Sequence, residues 1–187
     1  HQALEQLRDD VMNMGGCFVL ELDIKSYFDS IPHAQLRSVL DQRIRDGVIR
    51  KSVDKWLKAG VMEDGRIERA KGGTPQGGVI SPLLANIYLH EVLDVWFEQD
   101  VKPRMRGKCS IIRYADDAVL LFEHEEDARR VLNVLGKRFA KYGLTLHPDK
   151  TRLLGFKRPP LARKAPKKPS GPSSFDFLGF THYWGRS

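Results

Sequence analysis

The chain has 187 residues, of which 41% are hydrophobic and 29% charged, with a formal net charge of +7. That is enough for one globular domain with a real core and room for a small appendage. No apolar run approaches the ~20 residues of a membrane span and no signal peptide opens the chain, so a membrane partner is not expected. Cys17 and Cys109 are too few for a disulfide framework, and a reduced intracellular setting follows as the expectation.

The charge is unevenly placed. Lys157, Arg158, Arg163, Lys164, Lys167 and Lys168 lie between Lys157 and Ser174 with no acid among them, which leaves the remainder of the chain nearly neutral. The same stretch, 157–174, holds five of the ten prolines and reads as an extended basic loop that is solvated or touches phosphate backbone. A uniformly basic nucleic-acid-binding body is excluded.

The chain opens at His1-Gln2-Ala3-Leu4, inside a helical pattern and without an initiator methionine, and so reads as a piece of a longer protein. Leu4, Leu7, Val11 and Met14 recur at helical spacing up to Gly15-Gly16. A strand is expected over Cys17–Ile24, with Phe18, Leu20, Leu22 and Ile24 on one face and Cys17, Val19, Glu21 and Asp23 on the other. Asp23, an acid at the end of a mostly apolar strand, is the suspicious residue. A helix after Pro32 turns Leu36, Val39, Leu40 and Ile44 inward, and a shorter one around Val53, Trp56 and Leu57 stops at Gly60. Val61 to Lys71 resembles a hairpin with an Asp64-Gly65 turn. A glycine-dense loop, Gly72 to Gly78, then leads to Ser81 as N-cap and Pro82 as first helical residue of a long helix. Leu83, Leu84, Ile87, Val92, Leu93 and Phe97 supply its apolar stripes.

Ile111 to Phe122 is the most telling stretch. Two runs of strand formers flank Asp116-Asp117, a pattern that predicts a β-hairpin with its tip at Ala115-Asp116-Asp117. Aspartate is common in turns, but two adjacent anions beside a buried strand repel, and a hard divalent cation would relieve them. A third carboxylate reaching the same ion would decide the matter. A further helix opens with Glu125, Glu126 and Asp127 and closes with Lys137, Arg138 and Lys141, as the helix dipole favours. It buries Ala128, Val131, Leu132, Leu135 and Phe139, and ends at Gly143. Leu144–His147 and Thr151–Phe156 read as short strands about a Pro148-Asp149 turn, and residues 175–184 read as a last hairpin. Strand, helix, hairpin, helix, strand is the split βαβ (ferredoxin-like) order of an α+β fold, an antiparallel sheet backed by helices. In that order the end of the first strand lies beside the hairpin tip, and Asp23, Asp116 and Asp117 can share a two-metal site.

These residues resemble a known family. Tyr114-Ala115-Asp116-Asp117 is similar to the metal-binding motif of reverse transcriptases, and Asp23-Ile24-Lys25-Ser26-Tyr27-Phe28-Asp29-Ser30-Ile31 to their first aspartate motif. Gly73 to Leu89 is similar to the corresponding stretch of group II intron reverse transcriptase/maturases. Gly143 to Thr151 and Phe177-Leu178-Gly179-Phe180 complete five motifs in the family's order. The resemblance implies a reverse-transcriptase palm over 1–187, with the edge of the fingers at 1–16 and around 33–71, and a primer-grip-like hairpin at 175–184. It implies an RNA-directed DNA polymerase that adds dNTPs to a primer 3′-hydroxyl on an RNA template. In the full-length protein, fingers and thumb would complete the enzyme, and intron RNA would be a partner in splicing and mobility.

It further implies that Asp23, Asp116 and Asp117, with the Ile24 carbonyl, hold two Mg²⁺ ions, for which Mn²⁺ could substitute. Phe28 would lie beneath the sugar of the incoming nucleotide and exclude a 2′-hydroxyl by clash. Gln76 and Gly77 would line the nucleotide pocket, and Lys150 would protonate the departing pyrophosphate. Tyr114, Ala115, Leu178 and Gly179 would face the primer. The alternatives are an RNA-templated RNA polymerase, against which Phe28 argues, and an RNA-binding splicing cofactor with a vestigial site. The expected location is cytoplasmic in a bacterium or organellar in a eukaryote.

Overall fold

The computed structural model describes residues 1–58, 61–63, 66–68, 80–158 and 174–184. Gln76 and Gly77, the glycine-dense loop to Gly78, the Asp64-Gly65 turn, Gly60 and the basic stretch 159–173 lie outside the described residues. The chain divides into two compact units. One comprises His1–Asp23, Phe97–Leu135 and His147–Ser187, the other Ile24–Trp96 and Gly136–Leu146.

The first unit is built on a four-stranded sheet. Its strands are β1 (Gly16–Leu22), β4 (Cys109–Tyr114), β5 (Asp117–Phe122) and β6 (Arg152–Lys157), in spatial order β4-β5-β1-β6. Every neighbouring pair is antiparallel. This is the split βαβ order expected above, because β1 sits between the last strand and the hairpin rather than beside its sequence neighbour. β1 is therefore central, and its alternation does not separate a wet face from a dry one. Cys17, Val19, Leu20 and Leu22 are all buried, as both faces of a covered sheet require.

On one face, Cys17, Val19, Ile112, Val119, Leu121, Leu154 and Phe156 form a core with Leu7 and Val11 of α1 (Gln2–Met14). Phe175 and Phe177 of a separate hairpin, β7 (Ser174–Phe177) and β8 (Phe180–Tyr183), complete it. Leu7 and Val11 of α1 thus contribute to the core of the sheet, with Ala3, Leu4 and Met14 packed against it. The first part of α6 (Glu125–Lys141) buries Ala128, Val131 and Leu135, as its periodicity requires. Both cysteines are free and buried. Burial, reinforced by Asp10, pushes the Cys17 thiol up to about 12, and burial likewise lifts Cys109 to about 11.

The second unit is largely helical: α2 (Tyr27–Ser30), α3 (His33–Asp41), α4 (Gly47–Lys58), α5 (Ser81–Leu89) and the end of α6. It also holds a small hairpin of β2 (Val61–Glu63) and β3 (Arg66–Glu68). Several boundaries depart from the sequence expectation. α3 ends before Ile44, and β1 ends at Leu22, with Ile24 making only an isolated bridge to Leu146 in place of the expected Leu144–His147 strand. α4 begins early because the Asp46 carboxylate accepts from the amides of Val48 and Ile49, at 2.7 and 2.9 Å. That cap went unread in the sequence. Trp56 on α4 is 48% exposed rather than inward. Ser81 is the first helical residue rather than the cap, which falls at Ile80.

The helix after Ser81 changes winding. His90–Val95 and Phe97–Val101 are π-wound. Two stripes spaced by four residues, Leu84-Tyr88-Val92-Trp96 and Ala85-Leu89-Leu93-Phe97-Val101, are buried, whereas Leu83 is 58% exposed. A spacing of four exceeds the 3.6 of an α-helix, and the wider winding keeps both stripes facing inward. Arg138 donates from Nε to the Val92 carbonyl at 3.0 Å and from Nη2 to that of Glu91 at 3.3 Å. Among the described residues, no helix is long and apolar enough to cross a membrane.

Candidate active site

The β4–β5 hairpin reverses through Ala115-Asp116, with Tyr114 paired to Asp117. Ala115 has φ 55°, left-handed for a residue with a side chain, which costs energy that the surroundings must hold in place. Arg113 helps: its Nη1 donates to the Ala115 carbonyl at 2.6 Å. Tyr114 is 65% exposed, so its ring is available to a partner.

The register of β1 against β5 ends at Leu22↔Ala118. One step further would set Asp23 opposite Asp117, so that the three aspartates gather at one end of the sheet. Their fields overlap. Burial first, then the negative charges of Asp116 and Asp23, hold the Asp117 carboxyl above the ordinary aspartate range. Like charges that disfavour one another's ionisation are what a bound cation relieves. The donor set is all oxygen, which suits a hard divalent ion.

The side chains themselves are not drawn into a ligand cage. Among the described residues, no group of three or more His, Cys, Asp or Glu side chains stands close enough to hold a metal ion. Asp23 instead takes Lys150 as its partner, with Nζ 3.3 Å from Oδ2. The Lys150 side chain is 64% exposed, and a pair so exposed contributes at most about 1 kcal/mol. It is a weak competitor for a carboxylate that a divalent cation would also attract.

Asp23 is fixed by its backbone. Its carbonyl accepts from the His147 amide at 2.8 Å and from the Thr151 hydroxyl at 3.3 Å, while its own amide approaches Thr151 Oγ1 at 3.4 Å. The sequence carries no local signal for this role of Thr151, two residues after Asp149. In the second unit, the Lys25 amide donates to the Thr145 carbonyl at 2.9 Å. The bridge at Ile24 thus runs through the atoms on either side of it and does not use the Ile24 carbonyl, the expected ligand. Ser26 follows with φ 46° and starts α2. Tyr27 is buried there, its hydroxyl donating to the Ala85 carbonyl at 2.5 Å. Phe28, partly buried, sets its ring 5.5 Å from that of Tyr27.

The β7–β8 hairpin turns through Leu178 and Gly179, both left-handed at φ 53° and 77°. Two positive φ values make this a type I′ reversal, for which Asn-Gly is the usual chemistry. Leu178 occupies the strained position because its side chain packs against the core.

One charged residue of the first unit escaped the sequence reading. Glu21 is 8% exposed. Its Oε1 accepts from Arg152 Nη2 at 3.2 Å and from the Asp176 amide at 3.1 Å, and Oε2 accepts from Arg152 Nε. An acid in the middle of Phe18-Val19-Leu20-Glu21-Leu22 was the available signal.

Over residues 3–182 the chain matches the family described as Reverse transcriptase (RNA-dependent DNA polymerase). It is 34% identical over 149 residues to the group II intron-encoded protein LtrA of Lactococcus lactis subsp. cremoris, covering 74% of this chain and 24% of LtrA. It is 31% identical over 189 residues to the protein YkfC of Escherichia coli K12, covering 82% of this chain and 48% of YkfC. The chain therefore spans about a quarter of LtrA and about half of YkfC. Among solved structures it is similar to the apo telomerase of Candida tropicalis, truncated from its C-terminal domain. The TM-score is 0.69 at 14% identity, over 96% of this chain and 37% of that one. That likeness speaks for the fold alone.

Proposed function

The chain belongs to the reverse transcriptase family, and from that premise we propose that it is the palm of an RNA-directed DNA polymerase of the group II intron type. The observation that carries this reading is the gathering of Asp23, Asp116 and Asp117 at one sheet end, with Asp117 feeling the charge of the other two. In the proposal, Asp23, Asp116, Asp117 and the Ile24 carbonyl hold two Mg²⁺ ions, with Mn²⁺ a possible substitute. When bound, these lower the pKa of a primer 3′-hydroxyl and neutralise the triphosphate and its leaving group.

The chain's own residues do the remainder. Thr151 and the His147 amide hold the Asp23 backbone still. Arg113 holds the tip, and Ala115, small and half-buried at the turn, leaves room for a primer terminus. Phe28 excludes the ribose hydroxyl, and Gln76 and Gly77 contact the nucleotide. Lys150, whose Nζ lies 3.3 Å from Asp23 Oδ2, gives a proton to departing pyrophosphate in this proposal. Intron RNA is the further partner proposed for the full-length protein.

The test is primer extension by the full-length protein on an RNA template, with Mg²⁺ and either dNTPs or rNTPs. Extension with dNTPs that Asp116→Asn abolishes is the expected result. Extension with rNTPs alone would mark an RNA polymerase. No extension beside intact RNA splicing would mark a vestigial site and refute the reading.

A further inference from the structure

The Glu21 contacts join two separate sheets. We propose that Glu21 is a positioning residue: its buried carboxylate tethers the β7–β8 hairpin to β1, the strand that leads into Asp23, and so sets where the Leu178-Gly179 tip presents the primer. The primer-facing part rests on the polymerase reading above; the tether itself does not.

The geometry follows from register. Phe177 pairs with Phe180 around a two-residue turn, and in such a turn the flanking pair exchanges both ladder bonds. The next pair, Asp176 and Thr181, is then the one whose amides and carbonyls point away from the partner strand. The Asp176 amide is therefore an open edge donor, and Glu21 Oε1 takes it at 3.1 Å. This hydrogen bond links the hairpin to the four-stranded sheet.

On the other side, Glu21 lies directly opposite Arg152 in the β1–β6 register. The guanidinium meets it through two nitrogens, and Glu21 in turn raises the Arg152 pKa above its ordinary value. The ion pair with Arg152 offsets the cost of burying the carboxylate, and a charge-assisted bond holds an amide more firmly than a neutral one. The hairpin's apolar contacts, Phe175 and Phe177 against the sheet core, carry no hydrogen-bond direction; a bond from carboxylate to amide adds one and helps to fix the register. From that bond the hairpin runs two residues to its tip, and β1 runs two residues to Asp23. One side chain thus indexes the proposed primer-facing turn to a proposed metal-binding aspartate.

The test uses the full-length protein with Glu21→Gln, Glu21→Ala and the double variant Glu21→Met/Arg152→Met, which removes the ion pair without leaving either charge unpaired. Hydrogen exchange is read at 174–183 and, as the internal reference, at β5. Single-nucleotide extension gives kcat and the KM for dNTP. Hairpin amides are expected to exchange about tenfold faster in all three variants, with β5 unchanged. The extension rate is expected to fall roughly tenfold while KM for dNTP stays within about twofold, since a displaced primer end slows the chemistry rather than nucleotide binding. If the single variants fail to fold, the double variant carries the test.

Unchanged hairpin exchange would overturn the tether. Faster exchange with undiminished extension would overturn the positioning role. Absence of extension in the unmodified protein would sink the polymerase reading instead, and exchange would still decide the tether.

Discussion

Gly15 and Gly16 are neighbours in sequence and both have positive φ, 66° and 110°, yet they should respond differently to a methyl group. A Cβ on Gly15 would meet nothing within 4 Å. Gly15→Ala therefore costs only the left-handed backbone, about 1–2 kcal/mol. A Cβ on Gly16 would lie 3.0 Å from the Arg158 nitrogen and the Lys157 Cα, and 3.2 Å from the Phe156 carbonyl oxygen. All three are backbone atoms at the end of β6, where Gly16 pairs with Lys157, and they cannot step aside as the end of a side chain would. Overpacking of about 1–3 kcal/mol adds to the strain, so Gly16→Ala should cost about 2–5 kcal/mol. Against a total stability of roughly 5–15 kcal/mol this is severe. It corresponds to a fall in Tm of about 5–15 °C, against about 3–6 °C for Gly15→Ala. Denaturant and thermal melts of the two variants side by side provide the assay. Equal costs would refute the reasoning, because the close backbone contacts occur only at Gly16 and its φ of 110° is the less tolerant of a side chain.

Asp117→Asn should abolish extension and yet raise Tm slightly at neutral pH. The folded Asp117 carboxyl titrates above its unfolded value, so the native chain binds that proton more tightly. Stability is then greatest below the unfolded pKa and is lost as pH rises through the folded one. The amide removes this penalty, and a melt at neutral pH compared with one near pH 4 reads it; an unchanged or lowered Tm at neutral pH would count against it. Phe28→Ala should narrow discrimination against ribonucleotides by roughly 10- to 100-fold in kcat/KM. Single-nucleotide incorporation with matched dNTP and rNTP measures it, and unaltered selectivity would remove Phe28 from the nucleotide site. Thr151→Val should cost about 1 kcal/mol or less, since its bonds to Asp23 are long. It should lower kcat while leaving the KM for primer–template in place; steady-state extension kinetics would show otherwise if Thr151 merely caps the loop.

The order of the sheet could be read from the sequence because its strands are bounded by local signals. The hairpin at Asp116-Asp117 is flanked by β-branched and aromatic runs, and α6 carries charges matched to its dipole. Asp23 stood out because an acid closed an apolar strand. Glu21, two residues earlier, was harder to see. Alternation assigned it to a face without revealing that β1 is central and buried on both sides, and its partner Arg152 is 131 residues away. Tertiary pairing of that kind leaves no local trace. The π winding after His90 was missed because helical reading assumes a period of 3.6, although the spacing of four from Leu84 to Trp96 was there to count. α2 depends on a left-handed Ser26, a conformation that serine does not announce. The drawing of Asp23 toward Lys150 is likewise a matter of which charge lies nearest in space.

Among the described residues, Ser26, Ala115 and Leu178 are the ones other than glycine with positive φ, and each lies in a turn of a different motif. Handedness gives these places an unusual response to mutational scanning. Truncation to alanine leaves the mirror-image penalty in place at Ser26 and Leu178, whereas replacement by glycine abolishes it at all three. A glycine scan would therefore slacken the corners at Ser26 and Ala115 while relieving the fold, and a drop in activity there would report lost rigidity; at Leu178 glycine also removes a side chain packed against the core.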